Sequence, residues 1–252
     1  MKTKTLFYMA LSAVMTTLAA CSQDDELMDA APKPAAIEFE ITDGGYGGDE
    51  ATRAVEDGFR TKFEAGDKCG LYIVRDGSLV ASNVILTAEE GENGIITWKA
   101  ADGAISGAAE GDKYFLCYPS TMDMENKVTP SDTDSDDAFF ARIISGWNTA
   151  DNQNDYANYR YSDLKTAAGE VKNEDGKLKV SFSLNHKMAL AVIEVPKTVY
   201  KFTDTSIPDY IVPTRVDFKD SKYKPLRMED GTYRFVFNPE FVKDDHDIIG
   251  TI

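Results

Sequence analysis

Strict alternation of apolar and polar side chains at two distant places constrains this chain more than any other feature. Ile37, Phe39 and Ile41 alternate with Glu38, Glu40 and Thr42; Leu178, Val180, Phe182 and Leu184 alternate with Lys179, Ser181 and Ser183. A period of two belongs to a strand with one dry face and does not fit a helix. Between the two segments, Gly66-Asp67, Asp76-Gly77, residues 91–94 and Gly111-Asp112 are turn signals that separate apolar runs at 69–74, 79–86, 95–98 and 114–118. Strands at intervals near the roughly 8–12 residues of sandwiches and barrels, with few helical periods, predict an all-β fold. Residues 114–118 are apolar on both faces and stop at Pro119, which predicts a central strand.

After the second alternating segment comes a polar step, Asn185-His186-Lys187, and then residues 188–195, apolar apart from Glu194 and ended by Pro196. The two read as an edge-to-centre strand pair or as one long bent strand. Segments at 199–202, 211–218 and 233–237, with a turn at Asp230-Gly231, look like the opening strands of a second, incomplete β unit.

The N-terminus has a different character. Lys2 and Lys4 precede an uncharged, mostly apolar run from Leu6 to Ala19, the pattern of a secretory signal peptide. The run is short for a membrane span, which takes about 20 apolar residues. Leu18-Ala19-Ala20-Cys21 at its end resembles a bacterial lipobox, which implies cleavage before Cys21 and acylation of that residue; simple signal cleavage after Ala20 is the competing reading. Residues 22–35 have tether composition, first acidic (Ser22-Gln23-Asp24-Asp25-Glu26), then rich in alanine and proline, with nothing to bury. The acidic run also resembles the surface-export signal of lipoproteins in some Gram-negative anaerobes, against the reading of a plain solvated linker. A formal net charge of −16 disfavours nucleic acid and anionic lipid as partners. Membrane contact is therefore expected through lipid on Cys21, with no other cofactor.

Enzyme chemistry finds no frame in the sequence. His186 and His246 are the two histidines, and no nucleophile elbow, phosphate loop or zinc-binding helix accompanies them. His186, between two core strands, reads as a satisfied structural histidine, and no metal site is expected. Cys69 and Cys117 lie in apolar runs and read as buried thiols, a disulfide being the alternative. Residues 128–163 are the least regular. Asp132-Thr133-Asp134-Ser135-Asp136-Asp137 begins like a calcium loop, but Asp137 stands where glycine is needed and Ile143 where glutamate is needed, so a solvated loop is expected, with a weak cation site as the alternative. Trp147, Tyr156, Tyr159 and Tyr161 lie in a polar setting and offer rings either to a glycan or to the anchoring of a long loop. Ala51-Thr52-Arg53-Ala54 follows the glycines at 44, 45, 47 and 48; an exposed arginine in such a loop is where a trypsin-like protease cuts.

The lipobox, Thr52-Arg53-Ala54, Phe63-Glu64-Ala65-Gly66-Asp67-Lys68-Cys69-Gly70-Leu71-Tyr72, residues 114–119 and Phe182-Ser183-Leu184-Asn185-His186-Lys187-Met188-Ala189 together resemble the fimbrillin family, the lipoprotein precursors of type V pili. The resemblance implies transthyretin-like β-sandwich domains. It divides the chain into a signal peptide (1–20), a tether (21–35), a propeptide strand and cleavage loop (36–53), an N-terminal sandwich (54–196) and a partial second sandwich (197–252). It also implies lipid on Cys21, cleavage between Arg53 and Ala54, and loss of the strand bearing Ile37, Phe39 and Ile41. A strand of another pilus subunit would then fill the groove. A chain with an incomplete second domain would accept such a strand without donating one. The implied place is the outer membrane surface and the fimbria, with a host or bacterial receptor as a further partner. The alternative is an uncleaved surface lipoprotein that binds glycans.

Overall fold

A computed structural model of the chain describes residues 37–46, 60–105, 108–109, 111–121, 124, 126–174, 177–219, 221–241, 248 and 250. Cys21, Arg53 and Ala54 lie outside the described residues. The predicted all-β class is observed. Eight strands, β1 (Ile37–Asp43), β2 (Lys68–Arg75), β3 (Ser78–Glu90), β4 (Ile96–Ala100), β5 (Lys113–Tyr118), β6 (Lys165–Ala168), β7 (Glu170–Glu174) and β8 (Lys177–His186), form one sheet. Its order is β1-β8-β6-β5-β2-β3-β4, with β7 also on β8.

Gly169 marks the corner where this sheet bends. Before it β6 pairs with β5, and after it β7 pairs with β8. A Cβ here would lie 2.8 Å from the side chains of Val180 and Phe182 and 3.0 Å from that of Tyr114, so only glycine lets the chain pass this close. The bend brings β1 round to face β4 and leaves the sheet nearly closed, like a barrel open along one seam. A cleft of about 600 Å³ lies along the seam, lined by residues 37–42 and 95–99.

Alternation then divides the side chains between two cores. Leu71 and Ile73 of β2 and Leu116 and Tyr118 of β5 point inward and meet Phe39, Ile41, Val180 and Phe182. Tyr72 and Val74, with Phe115 and Cys117, point to the reverse face and are covered by a second layer. The expected central position of residues 114–118 is thus observed, with β2 on one side and β6 on the other. Cys69 belongs to the inner core and Cys117 to the outer one. The two thiols lie on opposite faces and are free, as the buried-thiol reading expects.

The second layer corrects the reading of residues 128–163. They hold two helices, α1 (Asp136–Ser145) and α2 (Tyr156–Ser162). Ser135 accepts a hydrogen bond from the Ala138 amide and caps α1, with Asp136 and Asp137 in the first turn and Arg142 in the last; the acidic run that begins like a cation loop serves as a helix start. Phe139, Phe140 and Ile143 fall on one buried face, and the Phe139 ring stacks on Phe115 at 4.2 Å. Ser135→Ala is expected to cost about 1 kcal/mol, read as a lower urea midpoint with an unchanged slope.

The chain after β8 also departs from expectation. Residues 189–193 neither continue β8 nor pair with it. They form β9 (Ala189–Ile193), which joins a separate three-stranded sheet. The strands that follow are β10 (Lys197–Tyr200), β11 (Tyr210–Pro213), β12 (Leu226–Arg227) and β13 (Tyr233–Phe237). β10 and β11 make a hairpin, and β12, β13 and β9 make the three-stranded sheet. This second sheet is tied to the helical segment by side chains that stand in for backbone. The buried Gln153 amide donates to the Val236 carbonyl at 2.6 Å and accepts from the Val236 N–H at 2.9 Å. Asn238 donates to the carbonyls of Ile144 and Trp147 at the end of α1.

Candidate functional site

β1 is an edge strand of unusual kind. It runs parallel to β8, from Ile37 opposite Leu178 to Asp43 opposite Leu184, whereas every other strand pair among the described residues is antiparallel. Phe39 and Ile41 are each 8% exposed and belong to the inner core. Burying each contributes about 1.5–3 kcal/mol. Glu38, Glu40 and Thr42 face outward. Glu40 pairs with Lys179 at 3.0 Å on that wet face.

Asp43, next in the inward series, enters a cluster of buried charge. Its Oδ1 accepts from the Gly45 N–H at 2.7 Å and meets His186 Nε2 at 3.0 Å. Its Oδ2 accepts from the Thr61 N–H at 2.8 Å and lies 3.2 Å from Lys165 Nζ. Asp163 mirrors it, meeting His186 Nδ1 at 2.8 Å and Lys165 Nζ at 3.1 Å. The side chains of Lys165, His186, Asp43 and Asp163 are 1%, 2%, 3% and 6% exposed, so water does little to screen them. Tyr46 closes the cluster, stacking on His186 with ring centres 3.7 Å apart and donating its hydroxyl to Asp163 at 2.8 Å.

The cluster is balanced when His186 is an imidazolium. Both ring nitrogens face carboxylates, and only the doubly protonated ring donates to both. Burial pulls the His186 pKa down, but the hydrogen bonds to Asp163 and Asp43 outweigh it and raise the value above 6.5. Burial pushes the Asp43 carboxyl up, but the His186 hydrogen bond and the Lys165 charge outweigh it and hold it well below 3.8. The stability that His186 adds is therefore complete below about pH 6.5 and is lost as the pH rises through its raised value. The Asp43 share is complete above about pH 4 and is lost as the pH falls through its lowered value. Urea midpoints are expected to fall from about pH 5.5 toward both about 8.5 and about 3, and His186→Gln is expected to flatten the alkaline limb. Equal wild-type midpoints at the two higher pH values would contradict a charged His186.

The structural reading of His186 is thus observed, while Asp43, Tyr46, Asp163 and Lys165 carry no mark in the sequence. Among the described residues no group of three or more His, Cys, Asp or Glu is placed to hold a metal. The aromatic residues proposed for glycan contact divide into two pairs. Trp147 is buried and donates its indole N–H to the Ser162 carbonyl, with Tyr161 5.4 Å away by ring centres. That pair lines a shallow cavity of about 270 Å³ with Arg142 and Asn148. Tyr156 and Tyr159 stack at 6.4 Å on α2, and of the four Tyr156 and Tyr161 are exposed.

A crystal structure of a fimbrial protein from Bacteroides ovatus superposes with a TM-score of 0.66 at 28% identity, over 81% of this chain and 42% of that one. A curated protein of the same species, "Putative fimbrium tip subunit Fim1C", is 32% identical over 209 residues, 81% of this chain and 37% of that protein. The chain is homologous to fimbrial proteins of Bacteroides. This bears out the fimbrillin resemblance. No protein-family model matches the sequence. The chain spans about two fifths of the length of these fimbrial homologues.

Proposed function

We propose that this chain is a fimbrillin-like structural or accessory subunit of a cell-surface pilus, serving adhesion. In this reading it is exported as a lipoprotein on Cys21 and held at the outer membrane. Cleavage between Arg53 and Ala54 then separates β1 from the rest of the chain, and a strand of another subunit takes its place. The observation that carries the reading is β1 itself: an edge strand in parallel pairing, joined to the body through the segment that contains Arg53, with two core side chains that leave an apolar groove behind them. Such a groove is costly to expose to water, and an added strand satisfies both its backbone edge and its pockets. The fimbrial homologues support the same setting.

The test uses fimbriae isolated from cells that make the protein. After cleavage following Arg53, the protein is expected to associate with them in a complex that survives mild detergent, and the uncut protein is expected to stay free. Cut protein that remains monomeric would overturn the strand-exchange reading. A second reading, an uncleaved lipoprotein that binds glycans, draws on the exposed Tyr161 and the Trp147 beneath it. Glycan binding there would change tryptophan fluorescence, and flat titrations would remove it.

A further inference from the structure

The groove of β1 does not end in apolar surface; it ends in Lys165, His186 and the Thr61 N–H. All three remain with the body when residues up to Arg53 are taken away, and all three lose a partner with Asp43. Among the described residues Asp163 is then the carboxylate left to face the two cationic groups. The remaining donors converge on one point, since the Asp43 carboxylate lies within 3.2 Å of Lys165 Nζ, 3.0 Å of His186 Nε2 and 2.8 Å of the Thr61 nitrogen. A carboxylate accepts from all of them at once, whereas an amide has a single acceptor oxygen and turns N–H groups toward donors.

Resting on the strand-exchange reading above, we propose that Lys165, His186 and Thr61 form a carboxylate socket at the end of this groove, and that a strand replacing β1 must carry an acidic side chain where Asp43 stands. The required pattern is three alternating apolar residues followed, two positions on, by the acid. Glycine is favoured next, because a Cβ at Gly44 would lie 2.9 Å from the Leu184 carbonyl oxygen.

The socket does what apolar alternation cannot. A slip of one residue turns the apolar side chains out of the core and is excluded by burial. A slip of two residues keeps them facing inward, so the apolar pockets distinguish it poorly. It does withdraw the acid from the socket, so the buried charges select the register and reject strands without the acid. Asp43 is the precursor's own occupant of that socket.

The test uses the full chain with a specific protease site introduced at residues 51–54 and cut there, so that the β1 segment is held without covalent linkage. Two labelled synthetic peptides, residues 36–46 and the same sequence with Asp43→Asn, are compared for their ability to displace it. The native peptide is expected to bind about tenfold or more tightly, in line with the strength of charged hydrogen bonds in buried sites, and His186→Gln in the protein is expected to shrink that ratio. Equal binding of both peptides would overturn the socket while leaving strand exchange intact. Failure of both to bind would overturn strand exchange and the socket with it. The peptide comparison is made on unaltered socket residues, so it decides the matter even if the His186 variant does not fold.

Discussion

Asp43→Ala is expected to destabilise the uncut chain by about 3–5 kcal/mol, the usual cost of breaking a buried ion pair from one side. The substitution removes the acceptor of four donors and leaves Lys165 and His186, 1% and 2% exposed, to share Asp163. His186 can relieve the imbalance by releasing its proton, which places the loss toward the lower end at alkaline pH and toward the upper end near pH 5.5. Urea unfolding at the two pH values measures both the loss and its slope with pH. Glu40→Ala is the control, since Glu40 pairs with Lys179 on the exposed face of the same strand; it should barely move the midpoint. Similar losses for the two substitutions would show that the strand is held by its charge in general and not by the buried cluster.

The second large effect is expected from truncating the two core side chains of β1. Phe39→Ala and Ile41→Ala should each cost about 2–4 kcal/mol, and the pair less than their sum, because both changes loosen one strand. The manner of the loss matters more than its size. Among the described residues β1 pairs by backbone hydrogen bonds with a single strand, β8, so the double variant is expected to release β1 while the remainder stays folded. Hydrogen exchange would then show lost protection in β1 and along residues 178–184, with β2 and β5 still protected. Uniform loss across the sheet would mean that β1 is an integral strand of the core and not a removable one.

Much of this architecture is legible in the sequence, for a reason that also explains what is not. The alternation at residues 37–41 and 178–184 names both strands, because a half-buried strand writes its period locally. That the two pair with each other, and in parallel, is a contact between residues about 140 positions apart, and period alone contains no such information. Helix α1 is hidden by the same acidic run that starts it: Ser135-Asp136-Asp137 reads as solvated until Phe139, Phe140 and Ile143 are recognised as one face. Residues 189–193 are apolar on both faces and so are silent about which sheet they join. The buried cluster is the least legible part. Lys165 sits in a short strand like any exposed lysine, and its burial depends on Asp43 and Asp163 reaching it from different segments. His186 alone announces itself, as a polar residue at the end of a core strand.

The central claim is that β1 is a removable strand whose loss readies the body for a partner. The N-terminus and intact mass of the protein recovered from the surface of its own cells test this most directly. The account predicts a chain that begins at Ala54, without lipid and without β1. A chain that begins at acylated Cys21 and retains residues 37–46 would contradict it.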